Sequence, residues 1–217
     1  MTNRWHRRDT AMLLLFLFWL YWAYAVWSRT AWLVSFDHGV ANWLHHTPAW
    51  FQSAMLTYTL FGNPHSMTVI IIVVTLILII GRQTKSAVFF VVNAALLAAY
   101  GNYFIKQIIE RPRPTAWRLT NIGGFSFPSG HATTTTVLIG SLLVIAYDLL
   151  QNSVVKRWLL GLGLVAIGLM MVSRVIVGVH YPSDVVGGAI LGSLLLYVST
   201  RLTTGHRTGQ LHFKKRS

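Results

Sequence analysis

The sequence predicts an all-α membrane protein: a six-transmembrane-helix bundle with a short amphipathic interfacial helix between helices 1 and 2. Three observations carry that prediction. Hydrophobic residues make up 54% of the chain and charged residues 11%, with a mean hydropathy of +0.54, whereas a soluble domain carries about twice that charged fraction. Six apolar segments, near 11–34, 59–80, 86–109, 131–150, 157–177 and 183–200, are long enough or nearly so to cross about 30 Å of hydrocarbon at about 1.5 Å per residue. Basic residues gather at the ends of those segments, not along one polar face. At 217 residues the default is a single integral-membrane domain over 1–217.

The first segment follows Arg4, Arg7 and Arg8. It is long and rich in Leu, Phe, Trp and Tyr, and no small-residue cleavage pattern follows it, so it reads as a retained helix, not a leader. Residues 35–58 differ. Phe36, Val40, Trp43 and Leu44 keep helical spacing, with Asp37, His38, His45 and His46 between them; Pro48 interrupts, and Trp50, Phe51 and Tyr58 follow. This is the expected interfacial helix, serving as an aromatic anchor or as a ramp that guides a headgroup. The fourth segment opens on threonines 133–136, whose hydroxyls can bond back to carbonyls or to neighbours. Gly161 and Gly168 in the fifth, and Gly188 and Gly192 in the sixth, are small residues of the kind that let helices approach closely. The tail after Arg201 is polar and basic, as expected of a mobile cytoplasmic end that leans on anionic lipid.

The formal charge of +13 could suggest nucleic acid, but flanking Lys and Arg are the ordinary orientation signal of membrane helices. With the N-terminus inside, twelve of the eighteen basic residues face the cytoplasm and six face outward. Both termini are therefore expected in the cytoplasm, in a multi-pass cell-membrane protein. There is no cysteine, which excludes thiolate and disulfide chemistry.

That orientation brings three polar strings to the outer ends of the last four segments: Lys106-x6-Arg113-Pro114, Pro128-Ser129-Gly130-His131, and Ser173-Arg174-x5-His180-x3-Asp184. Lys106, Arg113 and Arg174 are the cations a transferring phosphoryl group needs on its oxygens. Gly123, Gly124 and Gly130 permit tight backbone beside an anion. Ser129 suits the N-cap, where the first free N–H groups of the helix would point at a phosphate. His180 can attack phosphorus through one ring nitrogen while Asp184 orients it through the other. His131 remains to protonate the leaving oxygen and to activate water afterwards. Arg111 is expected to pair with Glu110 or with headgroups, and Arg118 to be peripheral. The remaining histidines, among them His6, His38, His206 and His212, read as ordinary polar residues.

Together the strings resemble the signature of the type 2 phosphatidic acid phosphatase family, which shares its site with bacterial acid phosphatases, glucose-6-phosphatase and vanadium haloperoxidases. All eleven signature positions match, and only 13 residues, 115–127, join the first two strings. The compact form is most similar to bacterial membrane members that dephosphorylate phosphatidylglycerophosphate, undecaprenyl pyrophosphate or phosphatidic acid. The resemblance implies His180 as nucleophile, Asp184 as its partner and His131 as acid. It implies that Lys106, Arg113, Ser129, Gly130 and Arg174 hold the phosphate, without metal or cofactor. The implied partners are a lipid phosphate and the surrounding lipids, with no nucleic acid and no obligate protein partner evident. Three other readings compete. A transporter or channel would need ionisable residues near mid-helix, which are nearly missing. A metallohydrolase using His131, His180 and Asp184 would need further carboxylates where cations stand. A vanadium haloperoxidase would sit poorly in a membrane.

Overall fold

The computed structural model describes residues 7–120 and 122–204. Arg4, His6 and the basic tail with His206 and His212 lie outside the described residues. Every regular element among the described residues is helical. The order is α1 (Arg7–Trp27), α2 (Ala31–His45), α3 (Ala49–Tyr58), α4 (Pro64–Ile80), α5 (Thr84–Val91), α6 (Ala98–Ile109), α7 (Gly130–Leu149), α8 (Ser153–Ile176) and α9 (Pro182–Thr204). A 3-10 turn, Thr59–Gly62, precedes α4, and a π-helical stretch, Val92–Leu97, joins α5 to α6 into one rod.

Among the described residues, five helical stretches are long and apolar enough to cross a membrane: Arg7–Trp27, Thr84–Ile109, Gly130–Leu149, Ser153–Ile176 and Pro182–Thr203. Ala49–Gly62 and Pro64–Ile80 form a pair bent by 59°, which adds a sixth if counted as one span. Their lipid-compatible faces show as exposed Leu13, Leu14, Ile72, Ile77, Leu162 and Leu164; such side chains match hydrocarbon, not water.

Two expectations are corrected. The first span ends at Trp27, not at residue 34, because the chain turns at Arg29, whose φ is 50°, and restarts as α2. Residues 35–58 are not one short helix. They are shared between α2 and α3, and Pro48, which has no N–H to continue a helix, stands at the N-cap of α3.

α9 is the central element. It packs along α7 with glycines at the contact: a Cβ on Gly188 would meet the Ser129 carbonyl oxygen at 2.6 Å, and one on Gly192 the Thr133 carbonyl oxygen at 2.8 Å. The expected Gly188/Gly192 face is therefore a close-packing face. The expectation for Gly161 and Gly168 fails, since nothing lies within 4 Å of a Cβ at either; in α8 it is Gly163 that abuts Ile139 and Leu143. α1 leans on the other side of α9. Trp19 Nε1 donates to the Gly187 carbonyl at 2.9 Å and Trp22 Nε1 to that of Ser183 at 3.0 Å. Each indole thus buries its ring and still satisfies its one donor. At the far end of the same helix pair, Asp9 accepts from the Tyr197 hydroxyl and pairs with Arg201 at 3.1 Å.

Candidate active site

The three strings converge where α6, α7, α8 and α9 end or begin. Lys106 lies in the last turn of α6. Its ammonium donates to the carbonyls of Phe125 at 2.6 Å and Ser126 at 3.4 Å. These bonds tie the loop to the helix and hold the charge at the cup. Arg113 leaves the same loop. Its Nε donates to the carbonyls of Gly123 (3.2 Å) and Gly124 (3.1 Å), and its Nη1 to that of Val179 at 2.9 Å. Nη1 also stands 3.2 Å from His180 Nε2.

Ser129 occupies the N-cap of α7, as expected, but its hydroxyl makes no capping bond. Its Oγ is buried without a hydrogen-bond partner among the described residues. Its backbone N–H donates instead to the Asp184 carbonyl at 3.0 Å. Gly130 is the first residue of α7, and Asn102 of α6 braces this entry by donating to the Pro128 carbonyl and the Thr133 hydroxyl, both at 3.2 Å. Thr133 bonds back to the Ser129 carbonyl at 3.0 Å, whereas the Thr135 and Thr136 hydroxyls find no partner among the described residues. His131 points its Nε2 at Asn63 Oδ1, 3.2 Å away, an acceptor that favours the proton on Nε2. His131 is within electrostatic range of Arg174, His180 and Arg113.

Arg174, in the last turn of α8, is 3% exposed. Its Nη1 donates to the Thr59 hydroxyl at 2.7 Å, and its Nε is buried without a partner among the described residues. His180 follows on a loop made tight by Gly178 (φ 73°), against which the Trp117 carbonyl presses. Its Nδ1 stands 3.4 Å from Asp184 Oδ2. That is long for a hydrogen bond, as such pairs often are before substrate arrives. Burial first of all holds the His180 imidazole well below its usual range, at about 4. Asp184 opposes that shift, and Arg113 and Lys106 add to it. The ring is thus neutral at ordinary pH, the form in which a nitrogen can attack.

Asp184 is fully buried, and each of its oxygens is engaged: Oδ2 accepts from the Tyr181 N–H at 2.8 Å, and Oδ1 from Arg111 Nη1 at 2.7 Å. This corrects the reading of Arg111. It does not serve Glu110 or headgroups but bridges two carboxylates, with Nη2 on Asp37 Oδ2 at 2.6 Å. The two counter-charges outweigh the cost of burial and raise the Arg111 pKa. Ser183 completes the set. Its hydroxyl accepts from Arg111 Nη1 and donates to Asp37 Oδ2, both at 2.7 Å, and its N–H donates to Asp37 Oδ1 at 2.8 Å. Arg118 turns back on the Pro114 carbonyl, and its charge reaches Arg113.

A cavity of about 300 Å³ opens beside His180 between α2 and the 114–117 loop. His38, His45 and Trp117 line it, and the His45 ring stacks on Trp117 with centroids 4.6 Å apart. Among the described residues no group of three or more His, Asp or Glu side chains is placed to hold a metal ion.

Sequence reasoning placed Lys106, Arg113, Ser129, Gly130, His131, Arg174, His180 and Asp184 together, and the fold brings them together. It missed Asp37, Thr59, Asn63, Asn102 and Ser183. Only Asp37 carried a signal, as one of five acidic residues in an apolar chain.

A family model described as the PAP2 superfamily matches residues 86–207. Phosphatidylglycerophosphatase B of Bacillus subtilis is 30% identical over 158 residues, which cover 69% of this chain and 73% of that protein. Undecaprenyl-diphosphatase of Sulfolobus acidocaldarius is 31% identical over 143 residues, covering 60% of this chain and 61% of the relative. Among solved structures, the transmembrane PAP2-type phosphatidylglycerolphosphate phosphatase of Bacillus subtilis superposes with a TM-score of 0.77 at 28% identity. That match covers 88% of this chain and 94% of the other. A family model spanning more than half of the chain, and a relative matched over most of its length, place this multi-pass membrane protein in the PAP2 superfamily.

Proposed function

We propose that this protein is a membrane lipid phosphatase that removes phosphate from a lipid phosphate monoester or pyrophosphate by way of a phosphohistidine on His180. What supports the reading is a buried His–Asp pair beside two donors that have no partner among the described residues: the Ser129 hydroxyl and Arg174 Nε. Buried donors left unpaired are costly. Phosphate oxygens would satisfy both, next to the cations of Lys106 and Arg113.

In this mechanism the phosphate lies among Lys106, Arg113, Ser129, Gly130 and Arg174. Nε2 of His180 bonds to phosphorus, and the P–O bond to the lipid breaks. Asp184 stabilises the positive imidazole that results. His131 gives its proton to the leaving oxygen, then takes one from the water that cleaves the N–P bond. The net exchange is one water consumed and one phosphate released.

The single domain crosses the membrane six times when the bent α3–α4 pair counts as one span. α2, with 15 residues, is too short to cross about 30 Å and lies at the interface. Both termini face the cytoplasm and the site faces outward, in line with the distribution of basic residues. The substrate is phosphatidylglycerophosphate, undecaprenyl pyrophosphate or phosphatidic acid; the names of the relatives include the first two.

The test is phosphate release from these three lipids by the purified protein in detergent, together with an alkaline detergent quench after a single turnover. A radiolabelled terminal phosphate should appear on the protein as an acid-labile, base-stable adduct. In His180→Ala the adduct should vanish and turnover should fall by about 10⁴-fold or more. A His180→Ala enzyme with near-normal turnover would refute the nucleophile.

A further inference from the structure

We infer that Asp37 and Arg111 are positioning residues for phosphoryl transfer, acting on His180 through Asp184; this deepens the function proposed above and rests on it. The geometry supplies the reason. An arginine facing a single carboxylate closes its fork on both oxygens. Were Arg111 to close on Asp184 alone, it would compete with His180 for Oδ2. Asp37 prevents that by taking Nη2 at 2.6 Å, which leaves only Nη1, at 2.7 Å, for Asp184 Oδ1. The Ser183 hydroxyl, which accepts from Nη1 and donates to Asp37, sets the angle between the arms. The Tyr181 ring lies 4.0 Å from the guanidinium carbon and closes one face. Asp184 Oδ2 is thereby kept toward His180 Nδ1.

Charge gives the second reason. Two carboxylates share one guanidinium, so the buried trio carries one net negative charge. That charge has no counter-ion within the trio. Lys106 and Arg113 offset part of it from the cup, and the rest is matched when the His180 ring turns positive, as the N–P bond forms and the leaving oxygen takes its proton from His131. In a low-dielectric surrounding such a match is worth more than in water. Asp37 is 2% exposed, and a carboxylate buried so deeply is expensive unless fully paired. It lies on α2, outside all three motif strings, so α2 becomes part of the apparatus that aims the nucleophile.

The test uses the full chain in detergent, with dioctanoyl phosphatidic acid as substrate and inorganic phosphate as inhibitor. Asp37→Asn should lower kcat by about 10- to 100-fold. KM and the phosphate inhibition constant should stay within about twofold, because the cup itself is untouched. Asp37→Glu should recover part of kcat by restoring the charge. In an Arg111→Gln background, Asp37→Asn should cause no further loss, because its route to the site is already cut. An unchanged kcat in Asp37→Asn, or full additivity with Arg111→Gln, overturns the proposal. So does a loss confined to KM and phosphate binding. Should Asp37→Asn fail to fold, Arg111→Lys carries the test: it keeps the charge but has no fork to hold two carboxylates, and wild-type kcat there overturns the proposal. His180→Ala separates the two levels. If it turns over normally, the phosphatase mechanism falls and this inference with it. If it is inactive while Asp37→Asn is normal, only the positioning role falls.

Discussion

The backbone N–H of Ser129 donates to the backbone carbonyl of Asp184 at 3.0 Å, so the entrance of α7 and the first turn of α9 are joined through main chain alone. No side chain mediates the bond, and the alignment of phosphate-holding and nucleophile-orienting strings therefore depends on how closely the two helices pack.

Gly188 is where that dependence can be probed. A methyl group there would meet the Ser129 carbonyl oxygen at 2.6 Å, and backbone cannot swing aside as a side chain can. Gly188→Ala is expected to cost about 1–3 kcal/mol of stability and to lower kcat/KM by about tenfold through misalignment. Thermal unfolding in detergent and phosphate-release kinetics measure the two effects.

Arg174 gives one arm of its guanidinium to the Thr59 hydroxyl, and its buried Nε has no partner among the described residues. A lysine cannot serve both directions. Arg174→Lys should retain the fold and lose about 10²-fold in kcat/KM, a value read from initial rates at low substrate. A loss of less than about threefold, under 1 kcal/mol, would argue that Nε does not meet substrate.

The protonation of His180 gives a pH test. Burial holds its folded pKa at about 4, below the unfolded value of about 6.5. Protons therefore bind the unfolded state better. The stability from the neutral ring is fully present above pH 6.5 and is lost as pH falls through about 4, roughly 3 kcal/mol in all. The unfolding temperature should drop over that window, and more steeply in wild type than in His180→Ala. A His180 ring resonance titrating near 6.5 would contradict the assignment.

Metal removal offers a fourth check. With cations where a metal would sit, a chelator should leave phosphate release unchanged to within about twofold. Vanadate, which adopts the five-coordinate geometry of the reacting phosphorus, should inhibit. Loss of activity on chelation with recovery on adding metal would favour a metallohydrolase.

The apolar segments were legible because hydrophobic length reports directly on what can lie in lipid, and the last four matched helices within a few residues. The candidate residues were legible because cations and imidazoles at the ends of such segments are rare. Partner choice was not legible. Arg111 neighbours Glu110 in sequence, yet its partners Asp37 and Asp184 come from α2 and α9, brought near only by the packing of α1 and α2 against α9. The same limit misread residues 35–58. Alternating polar and apolar residues signal a two-sided helix, but not whether its polar side faces water or, as Asp37 does, a buried arginine. Helix glycines share the problem: spacing nominated Gly161 and Gly168, while contact belongs to Gly163.

Asp9 and Arg201 meet at one tip of α9, and His180 and Asp184 stand at the other. The 23 residues of that helix, at about 1.5 Å each, nearly match one bilayer. In sealed vesicles, a maleimide that cannot permeate should accordingly label a cysteine installed beside Asp9 and one installed beside Tyr181 from opposite compartments. Whichever label reacts from outside reports on which leaflet presents its lipids to the enzyme.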